Sequence, residues 1–141
     1  MSTAFARAEL VAALGRQPKF ALATLPTPLQ EAERLREALG GPSRCPRIFI
    51  KRDDLTGLAA GGNKARKLEY LVGDAARAGA TTLITTGAVQ SNHARMTAGA
   101  ARLAGMEAEL VLTAHHDGPA DEGNLLLDRL FGARVHFVPA V

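Results

Sequence analysis

A single cysteine, Cys45, leaves no partner for an internal disulfide and too few thiolates for a multi-cysteine zinc site. Long apolar runs are missing as well: none approaches the roughly 18 to 20 residues a membrane span requires. The opening MSTAFARAEL mixes charge with small apolar residues and lacks a signal-peptide core, which predicts a cytoplasmic chain. Aromatic residues make up only 4%, no cluster of five basic residues occurs, and the formal net charge is +3. A basic groove with stacking platforms is excluded, and nucleic-acid binding with it. A small anionic ligand stays compatible, because it needs only a few well-placed donors.

What remains is a globular composition, 47% hydrophobic and 22% charged over 141 residues, enough for one domain with a core. Most of the prolines fall in the first 60 residues, after which the chain becomes regular. Leu29, Ala32, Leu35 and Leu39 stand at helical spacing and predict a helix over 28–39, stopped by Gly40 and Gly41. Residues 47–51 (RIFIK) predict a short buried strand, and 57–62 a loop of small residues. The pattern then predicts helices over 63–78, 91–104 and 121–131, alternating with strands over 81–86, 107–113 and 134–138. Such alternation with short connections implies an α/β fold, an open and mainly parallel sheet with helices on both faces.

The segment GGNKARKLEYL is the most informative. Lys64 precedes Leu68 by four residues and so prolongs an apolar stripe through Leu68, Leu71 and Ala75. A lysine there is partly desolvated, and Arg66 and Lys67 add like charge nearby. Both effects favour the neutral amine, the form that attacks carbonyls. Gly61 and Gly62 let a flat ligand approach the backbone closely. The competing reading is a first-turn lysine that reaches water along its stem. A phosphate loop fits poorly, since Asn63 separates Gly62 from Lys64 and Ala65 stands where Ser or Thr would hold magnesium.

The second informative segment is Gln90-Ser91-Asn92-His93, where a strand runs into a helix. Open α/β sheets bind ligands at such turns, where the N–H groups of a helix face an anion. Ordinary capping by Ser91 or Asn92 is the competing reading. A serine-hydrolase elbow requires G-x-S-x-G, which is not present. His115, His116 and Asp117, with Asp121 and Glu122, lack metalloprotease spacing and read as a solvated loop, so no metal site is expected. Cys45 has no local partner to mark it as a nucleophile.

Taken together, GGNKARKLEYL, TTGAVQSNHARMTAGAARLAGMEAELVL and GNLLLDRLFGARVHFVP resemble the D-cysteine desulfhydrase and 1-aminocyclopropane-1-carboxylate deaminase family. LPTPLQ and IFIKRDDLTGLAAGGNK match that family's opening, so the resemblance runs from about residue 20 onward. It implies a pyridoxal 5′-phosphate enzyme of fold type II, like the tryptophan synthase β subunit. By position, Lys64 would hold the cofactor through its amine, and Asn63 and Asn92 would contact it, Asn92 at the phenolic oxygen. Ser91 would bind the substrate carboxylate and act as nucleophile or proton relay, with Asn92, Gln90 and His93 lining the substrate end. His93, where the deaminases often carry Gln, favours a desulfhydrase acting on D-cysteine; 1-aminocyclopropane-1-carboxylate and L-cysteate are the alternatives. The resemblance also implies a small amino-acid substrate and a homodimer.

Family members are usually more than twice this length, and the resemblance implies an N-terminal fragment. Residues 1–62 would begin the larger cofactor domain, and 63–141 would carry the lysine helix and most of the smaller domain. The phosphate loop and the pyridine-nitrogen partner would then lie elsewhere, leaving the fragment with little activity. The rival from another class is a non-catalytic α/β module that binds through the same helix N-terminus.

Overall fold

The structure is a computed structural model that describes residues 7–114 and 121–139. In chain order the elements are α1 (Arg7–Gly15), β1 (Leu29–Glu31), α2 (Glu33–Ala38) and β2 (Phe49–Lys51), then two 3₁₀ turns, Asp53–Thr56 and Leu58–Ala60. They continue as α3 (Lys64–Arg77), β3 (Thr82–Ala88), α4 (Asn92–Leu103), β4 (Glu107–Ala114), α5 (Gly123–Leu130) and β5 (Arg134–Pro139). The strands form two sheets, an antiparallel pair of β1 with β2 and a parallel sheet in the order β3-β4-β5. The α/β class and the parallel sheet expected from the sequence are both found.

α4 occupies the centre because its small side chains serve two cores at once. Ala94, Ala98 and Ala101 press on Ala108, Leu110 and Leu112 of β4 and on Leu125 of α5. Met96 and Ala100, on another face of the same helix, meet Ala65, Leu68 and Val72 of α3. Gly99 admits Ala59 so closely that an added Cβ would come within 2.7 Å of the Ala59 Cβ. Each fully buried leucine contributes roughly 2 kcal/mol of apolar transfer. On the opposite face of the sheet Ile84 stands 73% exposed, beside an ion-paired group in which Arg134 and His136 both contact Glu109 at 2.6 Å.

Three expectations need correction. The helix predicted over 28–39 is only α2, because Leu29, Gln30 and Glu31 pair as a strand with Lys51, Ile50 and Phe49. Ladder bonds satisfy that backbone, and Arg47 clasps Glu31 across the ribbon with contacts of 2.9 and 2.6 Å. The strand predicted as buried is β2, and all three of its residues are exposed. It pairs only with β1 and lies outside the parallel sheet. Finally, α3 turns Leu71 to solvent and buries Ala65, Leu68, Glu69, Val72 and Gly73 instead. Segment 18–23 docks on that side: Glu69 accepts from the N–H groups of Leu22 and Ala23, and a Cβ on Gly73 would meet the Pro18 carbonyl at 2.6 Å. No helix among the described residues is long and apolar enough to cross a membrane.

Candidate active site

The loop before Lys64 is fixed from within by Thr56, which is fully buried. Its hydroxyl accepts from the Gly62 N–H at 3.0 Å and has the Asp53 and Gly62 carbonyls within donating distance, at 3.0 and 3.1 Å. Ala59 and Ala60 are forced to φ values of 47° and 67°, a region that L-residues enter only at a cost of about 1–2 kcal/mol each. At Gly61, with φ of 80°, a Cβ would stand 1.9 Å from the Asp54 carbonyl oxygen, so only glycine fits. The loop is built tight, directly before the lysine.

Lys64 opens α3 and is half-buried, aligned one and two turns ahead of the buried Leu68 and Val72. Its Nζ donates to the Asn63 Oδ1 at 3.1 Å, a contact on the exposed side. Of the two like charges expected beside it, Arg66 is turned away. Arg66 reaches Asp53 through Nε and Nη2 at 2.9 and 2.7 Å and Thr27 at 2.9 Å. That guanidinium, helped by the Thr27 hydroxyl, holds the Asp53 carboxyl at a pKa of about 2. Lys67 stays exposed, and together with Lys64 it acts on His93. Burial first, then these two ammonium groups, push the His93 imidazole below its usual pKa. His93 Nδ1 is buried without a hydrogen-bond partner among the described residues. Burial and the two ammonium groups thus favour the neutral form of the imidazole.

The start of α4 lies against the same place. Ser91 is its N-cap, with Oγ accepting from the Ala94 N–H at 3.2 Å. A Cβ on Gly87 would crowd the Ser91 side chain at 2.7 Å, so the next-to-last residue of β3 must be glycine for the serine to sit there. The first-turn N–H groups of Asn92 and His93 have no carbonyl to serve within the helix and are open to an anion. Arg95, one turn on, donates through Nη2 to the Gly61 carbonyl at 2.9 Å and through Nη1 to the Asn124 Oδ1 at 2.8 Å. Asn124 Nδ2 in turn donates to the Gln90 carbonyl at 2.7 Å and the Asn92 Oδ1 at 3.1 Å. The N-terminal ends of α3, α4 and α5 thus converge beyond the carboxyl end of a parallel sheet, the usual ligand position in such folds.

Known proteins resemble this chain over most of its length. Residues 20–141 match the model of a family described as pyridoxal-phosphate dependent enzyme. The chain belongs to that family. It is 47% identical over 118 residues to 1-aminocyclopropane-1-carboxylate deaminase of Allorhizobium ampelinum, covering 80% of this chain and 34% of that protein. It is 46% identical over 132 residues to D-cysteine desulfhydrase of Klebsiella pneumoniae, covering 91% of this chain and 39% of that one. Among solved structures, that of an ACC deaminase homologue superposes with a TM-score of 0.82 at 42% identity, over 94% of this chain and 38% of that one. The chain therefore spans little more than a third of the length of these relatives.

The residues singled out in the sequence fall into two groups. Lys64, Asn63 and His93 gather on the α3 side, and Gln90 and Asn92 on the α5 side, with Ser91 between them. Gln90 is committed at both ends of its amide, accepting from the Asn124 N–H at 2.8 Å and donating to the Glu122 carbonyl at 3.1 Å. Sequence reasoning missed Thr56, whose hydroxyl bonds lie within its own loop, and Arg95 and Asn124, whose contacts join distant parts of the chain; the one local signal was Asn124 following Gly123 at a helix start. His115, His116 and Asp117 lie outside the described residues.

Proposed function

We propose that this chain supplies the lysine-bearing part of a pyridoxal 5′-phosphate site acting on a small amino acid. The observation that carries the reading is that the starts of α3 and α4 meet: Lys64 follows the loop whose Gly61 carbonyl accepts from Arg95 of α4, and its charge acts on His93 in the first turn of α4. The residues fit the group: among the described residues the Lys64 amine is tethered only to Asn63, and the first-turn N–H groups of α4 are free of partners within the helix. When bound, pyridoxal phosphate supplies an aldehyde for amines and a ring that withdraws electrons from Cα.

The chain's own residues would then divide the work. Lys64 Nζ, released from Asn63, takes the Cα proton and returns it. The Asn92 and His93 N–H groups and the Ser91 hydroxyl hold the substrate carboxylate, which orients the Cα bonds. His93, neutral, stands ready to accept a proton next to the lysine.

Relatives named for both activities leave two substrates to weigh. His93 after Ser-Asn favours D-cysteine, which with one water would yield pyruvate, ammonia and hydrogen sulfide. The deaminase-named relatives favour 1-aminocyclopropane-1-carboxylate as the second reading.

The test is chemical labelling. After incubation with pyridoxal phosphate and borohydride reduction, peptide mapping should find a pyridoxyl group on Lys64 and none there in Lys64→Ala. Label scattered over surface lysines with Lys64 unmodified would overturn the reading. Release of sulfide from D-cysteine, against ammonia from the cyclopropane substrate, decides between the two substrates.

A further inference from the structure

Asn92 can present either end of its amide to a ligand, and the two ends are chemically opposite. Its Nδ2 donates and its Oδ1 only accepts. Which end faces the ligand is decided two residues away, through a chain of hydrogen bonds anchored on a group with no choice. A guanidinium is donor only. Arg95 Nη1, at 2.8 Å, therefore requires that Asn124 turn its Oδ1 toward the arginine. The Asn124 Nδ2 is then directed the other way, where it meets the Gln90 carbonyl and the Asn92 Oδ1 at 2.7 and 3.1 Å. Asn92 must offer an acceptor to that donor, which leaves its own Nδ2 pointing away from α5.

Arg95 is itself held in place. Its second nitrogen donates to the Gly61 carbonyl at 2.9 Å, which ties the network to the loop that precedes Lys64. Asn124 is held as well, since its backbone N–H donates to the Gln90 Oε1 and the Gln90 Nε2 returns to the Glu122 carbonyl. Gly123, at φ of 56°, admits this arrangement, because a Cβ there would fall 2.5 Å from the Gln90 Oε1.

We infer that Arg95 and Asn124 are positioning residues: Arg95 sets the Asn124 amide, Asn124 sets the Asn92 amide, and Asn92 thereby offers a donor to an anionic oxygen of the ligand. The inference rests on the proposed cofactor site and specifies how that site is oriented. Neither residue touches the ligand; both act through Asn92.

The test uses the protein as encoded, with pyridoxal 5′-phosphate as the probe and the visible band of the lysine-bound cofactor as the readout. Asn124→Asp keeps the bond from Arg95 but offers Asn92 no donor, so the Asn92 amide turns over and presents Oδ1. Cofactor affinity should fall by about 10- to 100-fold, as it should in Asn92→Ala. The pH midpoint of the band should shift in the same direction in both. The double variant N92A/N124D should lose clearly less than the product of the two single losses, because the part of the second change that runs through Asn92 is already gone and only the Asn124 bond to the Gln90 carbonyl is left to break. Should N124D fail to fold, as judged by circular dichroism, the same cycle is run with Arg95→Met, which removes the donor that fixes the Asn124 amide. Affinity and band unchanged in N124D, or losses that multiply in the double variant, would overturn the inference. Absence of Lys64 labelling in the parent protein is a different failure: it removes the proposed function itself, and this inference with it.

Discussion

In the sheet of β3, β4 and β5, Leu110 and Leu112 lie fully buried beneath α4, whereas every residue of β2 is exposed. The first sheet is held by apolar contact with alanines and leucines of two helices. The ribbon of β1 and β2 is held from above by charge: Arg47 with Glu31, and Arg52 with Gln30 and Asp54. Arg47 also lies over the Phe49 ring, 4.8 Å from its centroid. Exposed pairs of this kind are individually weak. Packing therefore fixes the parallel sheet and with it the ends of α4 and α5, while the ribbon is free to tolerate change.

The comparison breaks most visibly if a leucine is removed from the first sheet. Leu112→Ala empties volume between α4 and α5 and should cost about 2–5 kcal/mol. Chemical denaturation followed by circular dichroism measures it. A loss below about 1 kcal/mol would mean that this core is not close-packed.

The same contrast decides what could be read from residues alone. α4 and β4 were legible because one buried face imposes a period, and the sequence records that period. Leu29, Leu35 and Leu39 have helical spacing too, yet all three are exposed, so there the period reports no burial. At the site, Lys64 and the Ser91-Asn92 turn were legible as chemistry on helix starts. Their directions were not. Successive helical residues diverge by about 100°, so Asn92 faces α5 while His93 faces α3. Arg95 and Asn124 were invisible because their contact joins positions 29 residues apart.

A second prediction sharpens the comparison by placing a charge in the apolar half. Asp128 is fully buried on α5, and neither carboxylate oxygen has a hydrogen-bond partner among the described residues. Burial raises its pKa to about 6 although Arg95 pulls it down. A carboxyl raised in the folded state favours folding below its unfolded pKa near 4, and that advantage disappears as pH rises through 6. Between those values the native protein should lose about 3 kcal/mol that Asp128→Asn does not lose. Unfolding free energies of both proteins from pH 4 to 8 measure it; parallel curves would sink the assignment. The acids of the other half run the opposite way, since Arg66 holds Asp53 at about 2 and its contribution is lost only as pH falls toward that value.

The smallest effect belongs to the ribbon side, and it is informative because the residue looks important. Leu35 sits in α2 at a position that helical spacing marks as core, yet it is 48% exposed. If the spacing were the guide, Leu35→Gln would remove an apolar contact and cost about 2 kcal/mol or more. If exposure is the guide, the variant changes stability by no more than about 0.5 kcal/mol, because glutamine forms helix nearly as well as leucine. The structure requires the second outcome for the chain as it stands. A measured loss near the first value would mean that another surface covers α2 in solution, and the charged ribbon beside it would then have to be reread as one side of an interface.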